Sequence, residues 1–185
     1  MSGHRSEKVN VGAGEHSMQI VSVDKIPSNV VDCPEGDLVE VYKICKQMHS
    51  LCKSSSGVGL SAVQVGVPWR LFVIDFEDSY RNFLNCLYKQ EGDEKFESIE
   101  GCLSIKKDDG SMRYFKLSRF QEITLIGKEL VEIRTQNEGK IALIPFKAKL
   151  KGNNLANVVF QHEIDHQNQV LISDIGKEVD INDTQ

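Results

Sequence analysis

The sequence predicts an α+β domain in which antiparallel or mixed β-sheets surround a C-terminal metal-binding helix, and three observations carry that expectation. One stretch near each end has apolar residues at helical spacing, the middle holds several short alternating runs, and the C-terminal helical stretch contains His162-Glu163-Ile164-Asp165-His166. A length of 185 residues, 40% hydrophobic and 26% charged, is that of one globular domain. No apolar run approaches the ~20 residues of a membrane span, so no membrane partner is expected. A net charge of −5 with no basic tract argues against a nucleic-acid footprint. The five cysteines are odd in number and irregularly spaced, which points to free thiols and a reducing compartment. Residues 1–17 are polar and lack an apolar signal core; they are expected to be a disordered tail, with the domain spanning 18–185.

Element by element, Gln19 to Val23 alternates weakly and suggests a short strand, with Pro27 and Pro34 as breakers. Leu38, Val41, Tyr42, Cys45, Met48 and Cys52 form the interior stripe of a first helix beginning at Asp37 and ending at Ser54-Ser55-Ser56-Gly57. Cys45 and Cys52 read as buried thiols, whereas His4, His16 and His49 read as surface residues. Gly57 to Pro68 is a glycine-bounded apolar loop with Gln64 inside it, and Leu71 to Phe76 is a buried strand. Between Asp78 and Ser98 the chain is polar and poorly periodic. Glu122–Ile126 and Leu130–Arg134 read as paired strands turning at Gly127-Lys128, and Lys140–Phe146 as another strand. In the last helix Leu155, Val158, Val159, His162 and His166 share roughly one face.

Positions four apart on a helix stack on one face, so His162 and His166 are able to reach one cation with Glu163 beside them. A divalent metal on such imidazoles lowers the pKa of a coordinated water to roughly 7, and the adjacent carboxylate takes its proton. HExxH alone leaves the third ligand open. A zinc peptidase takes it downstream, where this chain offers Asp174, Glu178, Asp180 and Asp183 but no His. Cys102, after Gly101 in Glu100-Gly101-Cys102-Leu103-Ser104, is the alternative: a thiolate and two imidazoles make an open, catalytic three-point site. Gly101 permits close backbone approach, and the Leu103 amide and the Gln64 side-chain amide are candidate donors to a carbonyl oxygen. A catalytically silent binding module is the third reading; it would be marked by loss of Glu163, Gln64 or a ligand, and all are present.

Three segments together resemble the peptide deformylase family: Gly57-Val58-Gly59-Leu60-Ser61-Ala62-Val63-Gln64 is similar to GxGLAAxQ, residues 100–104 read EGCLS, and residues 161–166 read QHExDH. The resemblance spans about Met18 to Lys177. It implies removal of the formyl group from the N-terminal formylmethionine of nascent polypeptides, at the ribosome, in the cytoplasm of a bacterium or phage-infected cell or in an organelle. It also implies one divalent metal on Cys102, His162 and His166, ferrous iron natively, with zinc, nickel or cobalt able to substitute. Glu163 would be general base and then general acid. Gln64 and the Leu103 amide would hold the formyl oxygen. Gly59 and Gly101 would flank the peptide backbone, and Val58, Leu155, Val158, Val159 and His162 would wall the methionine pocket. Arg119 and Asp165 resemble a pair bracing the metal helix from behind. As in some branches of the family, Val179-Asp180-Ile181 would add a final strand. The sequence departs from the family pattern at Ser61 (Ala), Cys86 (Pro), Lys106 (Pro), Gln167 (Leu) and Gln169 (Gly), which bears on loop shape, rate and preference.

Overall fold

A computed structural model describes residues 17–76, 79–135 and 138–181. The expected tail therefore lies, but for Ser17, outside the described residues. The elements are α1 (Leu38–Ser54), β1 (Gly59–Ser61), β2 (Leu71–Phe76), β3 (Ser79–Gln90), β4 (Lys95–Lys106), β5 (Met112–Phe120), β6 (Glu122–Arg134), β7 (Gly139–Lys151), α2 (Leu155–Gln167), α3 (Ile172–Ile175) and β8 (Lys177–Val179), with 3-10 turns at Val23–Lys25 and Ala62–Val65. A five-stranded sheet has the order β1-β2-β3-β6-β7, and a three-stranded sheet the order β4-β5-β8. Every neighbouring pair of strands is antiparallel.

Both faces of the larger sheet are covered, which explains why Leu71-Phe72-Val73-Ile74 reads as an unbroken apolar run. Leu71 and Val73 join Val41, Cys45, Met48 and Cys52 of α1 in one core, while Phe72 and Ile74 join Val159, Phe160 and Ile164 of α2 in another. Phe160 sits edge-on to Phe72 and Phe83, at 5.7 and 4.9 Å between ring centroids. A third core, of Cys102, Ile105, Phe115, Leu117 and Ile172, fills the smaller sheet. Side chains start both long helices: Asp37 Oδ1 accepts from the Glu40 amide and Asn154 Oδ1 from the Asn157 amide.

Five expectations are corrected. Gln19–Val23 forms no strand: Val21 N–H donates to Gln64 O, Ile20 packs against the α1 core, and the segment turns into a 3-10 helix, so its alternation finds no ladder. Residues 79–98 are ordered as β3 and the start of β4. Their periodicity is hidden by a bulge between Leu84 and Leu87 and by the buried Asn82, which bonds His49 Nε2 at 2.8 Å and the Leu130 carbonyl at 2.9 Å. His49 is accordingly buried, not a surface residue.

Gly127-Lys128 is no turn, for β6 runs unbroken past it. A Cβ at Gly127 would lie 2.2 Å from Cys86 Sγ, so the glycine admits the bulged part of β3. Asn85 adopts φ 53° there and fastens the bulge to Cys33 through its side chain. The final strand is β8, ending at Val179 rather than extending over Val179–Ile181.

Candidate active site

The metal-binding candidates converge. His162 and His166 stand one turn apart on α2, with their Nε2 atoms 3.2 Å from each other, and β4 brings Cys102 Sγ to 3.3 Å from His166 Nε2. All three ligand atoms lie within 4.8 Å of one another, and all three residues are buried or nearly so. The 3.2 Å between the two nitrogens is close to the ~3.3 Å that separates neighbouring ligand nitrogens around a divalent ion. Burial holds His166 neutral, with the neighbouring His162 acting in the same direction, whereas at His162 burial is overcome by hydrogen bonds to Cys102 and Glu100, which raise the ring to about 10. A ligand imidazole is neutral, so a cation bound there would displace that proton. None of the downstream acids Asp174, Glu178 and Asp180 belongs to this group among the described residues, and Asp183 lies outside them.

Behind His162 stands a network the sequence disclosed only in part. Glu100 Oε2 lies 2.9 Å from His162 Nδ1, and Arg119 grips both Glu100 oxygens at 2.7 Å. Arg119 also donates to Asp165, and Tyr88 Oη to the same carboxylate at 3.4 Å. Burial alone would raise the Glu100 carboxyl, but Arg119 and His162 overcome it and hold it down at about 2. Glu100 is thus an anion that orients the His162 ring, a role hidden in sequence because the residue reads as one letter of EGCLS. Gln161 went unassigned as well. It accepts from the Phe120 amide at 3.0 Å and, with Asn157, bonds the Phe120 carbonyl, pinning α2 to the β5–β6 corner.

A cavity of about 220 Å³ opens on this centre and is bordered by Gln64, Cys102, Leu103, His162 and Glu163. The six predicted peptide-side residues, Val58, Gly59, Gly101, Leu155, Val158 and Val159, border it too. The Gln64 Nε2 amide stands 3.4 Å from Cys102 Sγ and 3.3 Å from Ser104 Oγ, and its Oε1 accepts from the Ser61 amide, which sets its orientation. Leu103 lies where the β4–β5 register is interrupted between Gly101 and Lys106, while its side chain packs into the α1 core. Glu163 is buried with Oε2 lacking a hydrogen-bond partner, and burial raises its carboxyl to about 7, partly countered by His162. An acid poised there takes and returns a proton near neutrality. A larger cleft of about 940 Å³ lies behind α2 against Arg119 and Asp165, and it touches neither Glu163 nor any of the three ligand candidates.

Both glycines serve the protein itself as well as the cavity. A Cβ at Gly59 would stand 2.5 Å from Glu163 Oε1, so its absence makes room for the carboxylate. A Cβ at Gly101 would stand 2.2 Å from Met112 Sδ, so a thioether from β5 fills that space and becomes part of the cavity border. Met112 carries no motif, and nothing in the sequence marks it. Gln169, where the family pattern has Gly, adopts φ 61° just past α2 and bonds the Ser28 carbonyl with its side chain. The position is one that favours glycine, and the added bond offsets the strain.

The polypeptide deformylase family model matches residues 22–180. Peptide deformylases from Helicobacter pylori strain J99 and from Syntrophomonas wolfei are each 30% identical, over 168 and 162 residues, covering 85% of this chain and 86% and 93% of theirs. Among solved structures, the Thermotoga maritima peptide deformylase superposes with a TM-score of 0.68 at 26% identity, covering 86% of this chain and 97% of that one. A probable peptide deformylase from synechococcus phage S-SSM7 gives 0.67 at 28% identity, covering 86% and 99%. With the family model matched across most of its length and the EGCLS and QHExDH segments meeting at one centre, the chain belongs to the polypeptide deformylase family.

Proposed function

We propose that this protein hydrolyses the formamide bond of N-formylmethionyl polypeptides, giving formate and a free amino terminus, at the centre built from Cys102, His162, His166, Glu163 and Gln64. The observation that carries the reading is the convergence of two imidazoles, a cysteine sulfur, a buried carboxyl near pKa 7 and a side-chain amide at one small cavity. Cys102, His162 and His166 would hold one divalent ion. When bound, that ion acidifies water and polarises a carbonyl oxygen. The borderline-soft set of one sulfur and two nitrogens suits ferrous iron, and also zinc, nickel or cobalt.

Glu163 takes a proton from the attacking water and delivers it to the departing amine. Gln64 Nε2 and the Leu103 amide donate to the formyl oxygen as charge builds on it. The apolar side chains of Val58, Leu155, Val158 and Val159 receive the methionine side chain. β1 and β4 are both sheet edges and both border the cavity, so an extended peptide between them finds unpaired backbone groups on either side. Recognition through the backbone accepts many sequences after the first residue, as newly made chains require. No helix among the described residues is long and apolar enough to cross a membrane. Work on nascent chains would place the protein at the ribosome in the cytoplasm or an organelle.

Formate release from a formyl-Met peptide by anaerobically prepared protein, with metal quantified in the same sample, tests this. Release in proportion to bound ferrous iron is expected. A full complement of iron without formate would leave only a binding module.

A further inference from the structure

Ser61 and Gln167, two departures from the family pattern, fall on one interface. A Cβ at Gly59 would lie 2.5 Å from Glu163 Oε1 and 3.0 Å from Val159 Cγ1, so this face of β1 rests on the Val159–Glu163 stripe of α2. Ser61 is two residues further along the strand and shares that face, and Gln167 is one turn beyond Glu163 on that stripe. The two steps match, about 6.6 Å along the strand and about 6 Å along the helix. Both elements advance the same way. Past Ser61 the chain brings Gln64 to 3.4 Å from Cys102 Sγ, and that sulfur is 3.3 Å from His166 Nε2, one turn beyond His162.

Ser61 is 0% exposed and Gln167 1%. Ser61 Oγ, both Gln167 amide atoms and His166 Nδ1 are buried without a protein hydrogen-bond partner. A buried amide with neither atom bonded is costly enough that folded proteins rarely keep one. The set comprises a hydroxyl that gives or accepts, an amide oxygen, an amide N–H and an imidazole nitrogen. It is the complement an internal water satisfies with its usual three bonds or so. His166 turns Nε2 toward Cys102, so its Nδ1 carries the proton and needs an acceptor.

We propose that Ser61, Gln167 and His166 Nδ1 hold one internal water between β1 and α2, which makes Ser61 and Gln167 positioning residues that tie the Gln64 turn to the metal helix. The consequence for His166 rests on its reading as a ligand; the water site itself does not depend on the reaction.

The test compares Ser61→Ala, Gln167→Leu and the double variant as zinc-loaded proteins, by thermal unfolding and by the rate of zinc loss to a chelator. Each single change strands the other polar group and lowers Tm by about 3–8 °C. The double variant leaves only His166 Nδ1 without a partner, so its Tm falls no further than that of either single variant, and all three lose zinc about tenfold faster because His166 Nδ1 has lost its acceptor. Additive Tm losses in the double variant would overturn the shared site, and unchanged zinc loss would overturn the link to His166. Should Gln167→Leu fail to fold, Gln167→Met, closer in length and flexibility, takes its place in the same cycle. Neither readout uses substrate, so absence of deformylase activity would leave the outcome interpretable.

Discussion

The Nδ1 atom of His162 lies 2.9 Å from Glu100 Oε2, and Arg119 holds that same carboxylate by both oxygens. The His162 ring is therefore oriented by a buried ion pair that also reaches Asp165, two residues along α2 from Glu163. Arg119→Ala leaves two carboxylates buried without their cation, which costs about 3–5 kcal/mol. It also weakens metal retention by about 10–100-fold while leaving peptide affinity of the reloaded enzyme nearly unchanged. Metal content after dialysis, set beside KM after reloading, checks this; unaltered retention would show that the brace does not govern the ligands.

Glu163→Gln keeps the shape of the side chain and all three metal candidates but removes the carboxylate proposed as the base. Metal content should stay at the parent level while formate release falls by about 10²–10⁴-fold. Substantial turnover by this variant would move the proton-transfer role elsewhere.

Gly59→Ala sets a methyl group against Glu163 Oε1, where only 2.5 Å is available. The carboxylate must shift, and a displacement of about 1 Å costs on the order of 10²-fold in rate. Metal content should not change, because none of the three ligand atoms meets the new methyl. A loss of rate with unaltered metal would place the effect on the base.

Burial, opposed in part by His162, raises the Glu163 carboxyl to about 7. A base must be ionised, so activity should rise with pH through that value. A bound cation favours the carboxylate and moves the midpoint lower. A kcat profile between pH 5 and 9 on fully loaded enzyme should show an ascending limb centred at or below about 7. A kcat that falls as pH rises through that range would exclude Glu163 as the titrating base.

Glu100 gives acid sensitivity of the opposite origin. Its folded-state carboxyl is held at about 2 against an ordinary value of 4.5. A depressed acid contributes stability that is complete above the unfolded value and disappears as pH falls from about 4.5 toward 2. Urea unfolding midpoints of metal-free protein measured down this range should fall, and Glu100→Gln should flatten the dependence.

Cys102 shows how far local sequence reached. HExxH left its third ligand open, and EGCLS named a cysteine with no means of measuring its distance from the helix. Only the packing of β4 against α2 brings that sulfur to 3.3 Å from His166 Nε2. The bulge of β3 was not legible, because one extra residue breaks the two-residue period on which strand recognition depends. Gly127 misled for the same reason: a glycine that admits another strand looks, in one dimension, like a glycine that turns the chain.

What the sequence by itself determined is the chemistry that local spacing encodes: two imidazoles and a carboxylate on one helical turn, a thiol and an amide in glycine-containing segments, and the apolar stripes of α1 and α2. Helical period and side-chain chemistry are properties of neighbours along the chain, so a string of residues displays them. The tertiary structure alone decided that Glu100 and Arg119 stand behind His162, that Met112 occupies the space left by Gly101, and that Ser61 and Gln167 share an interface. Those relations join residues 11 to 106 positions apart, and only packing density and the need to pair buried polar groups bring them together.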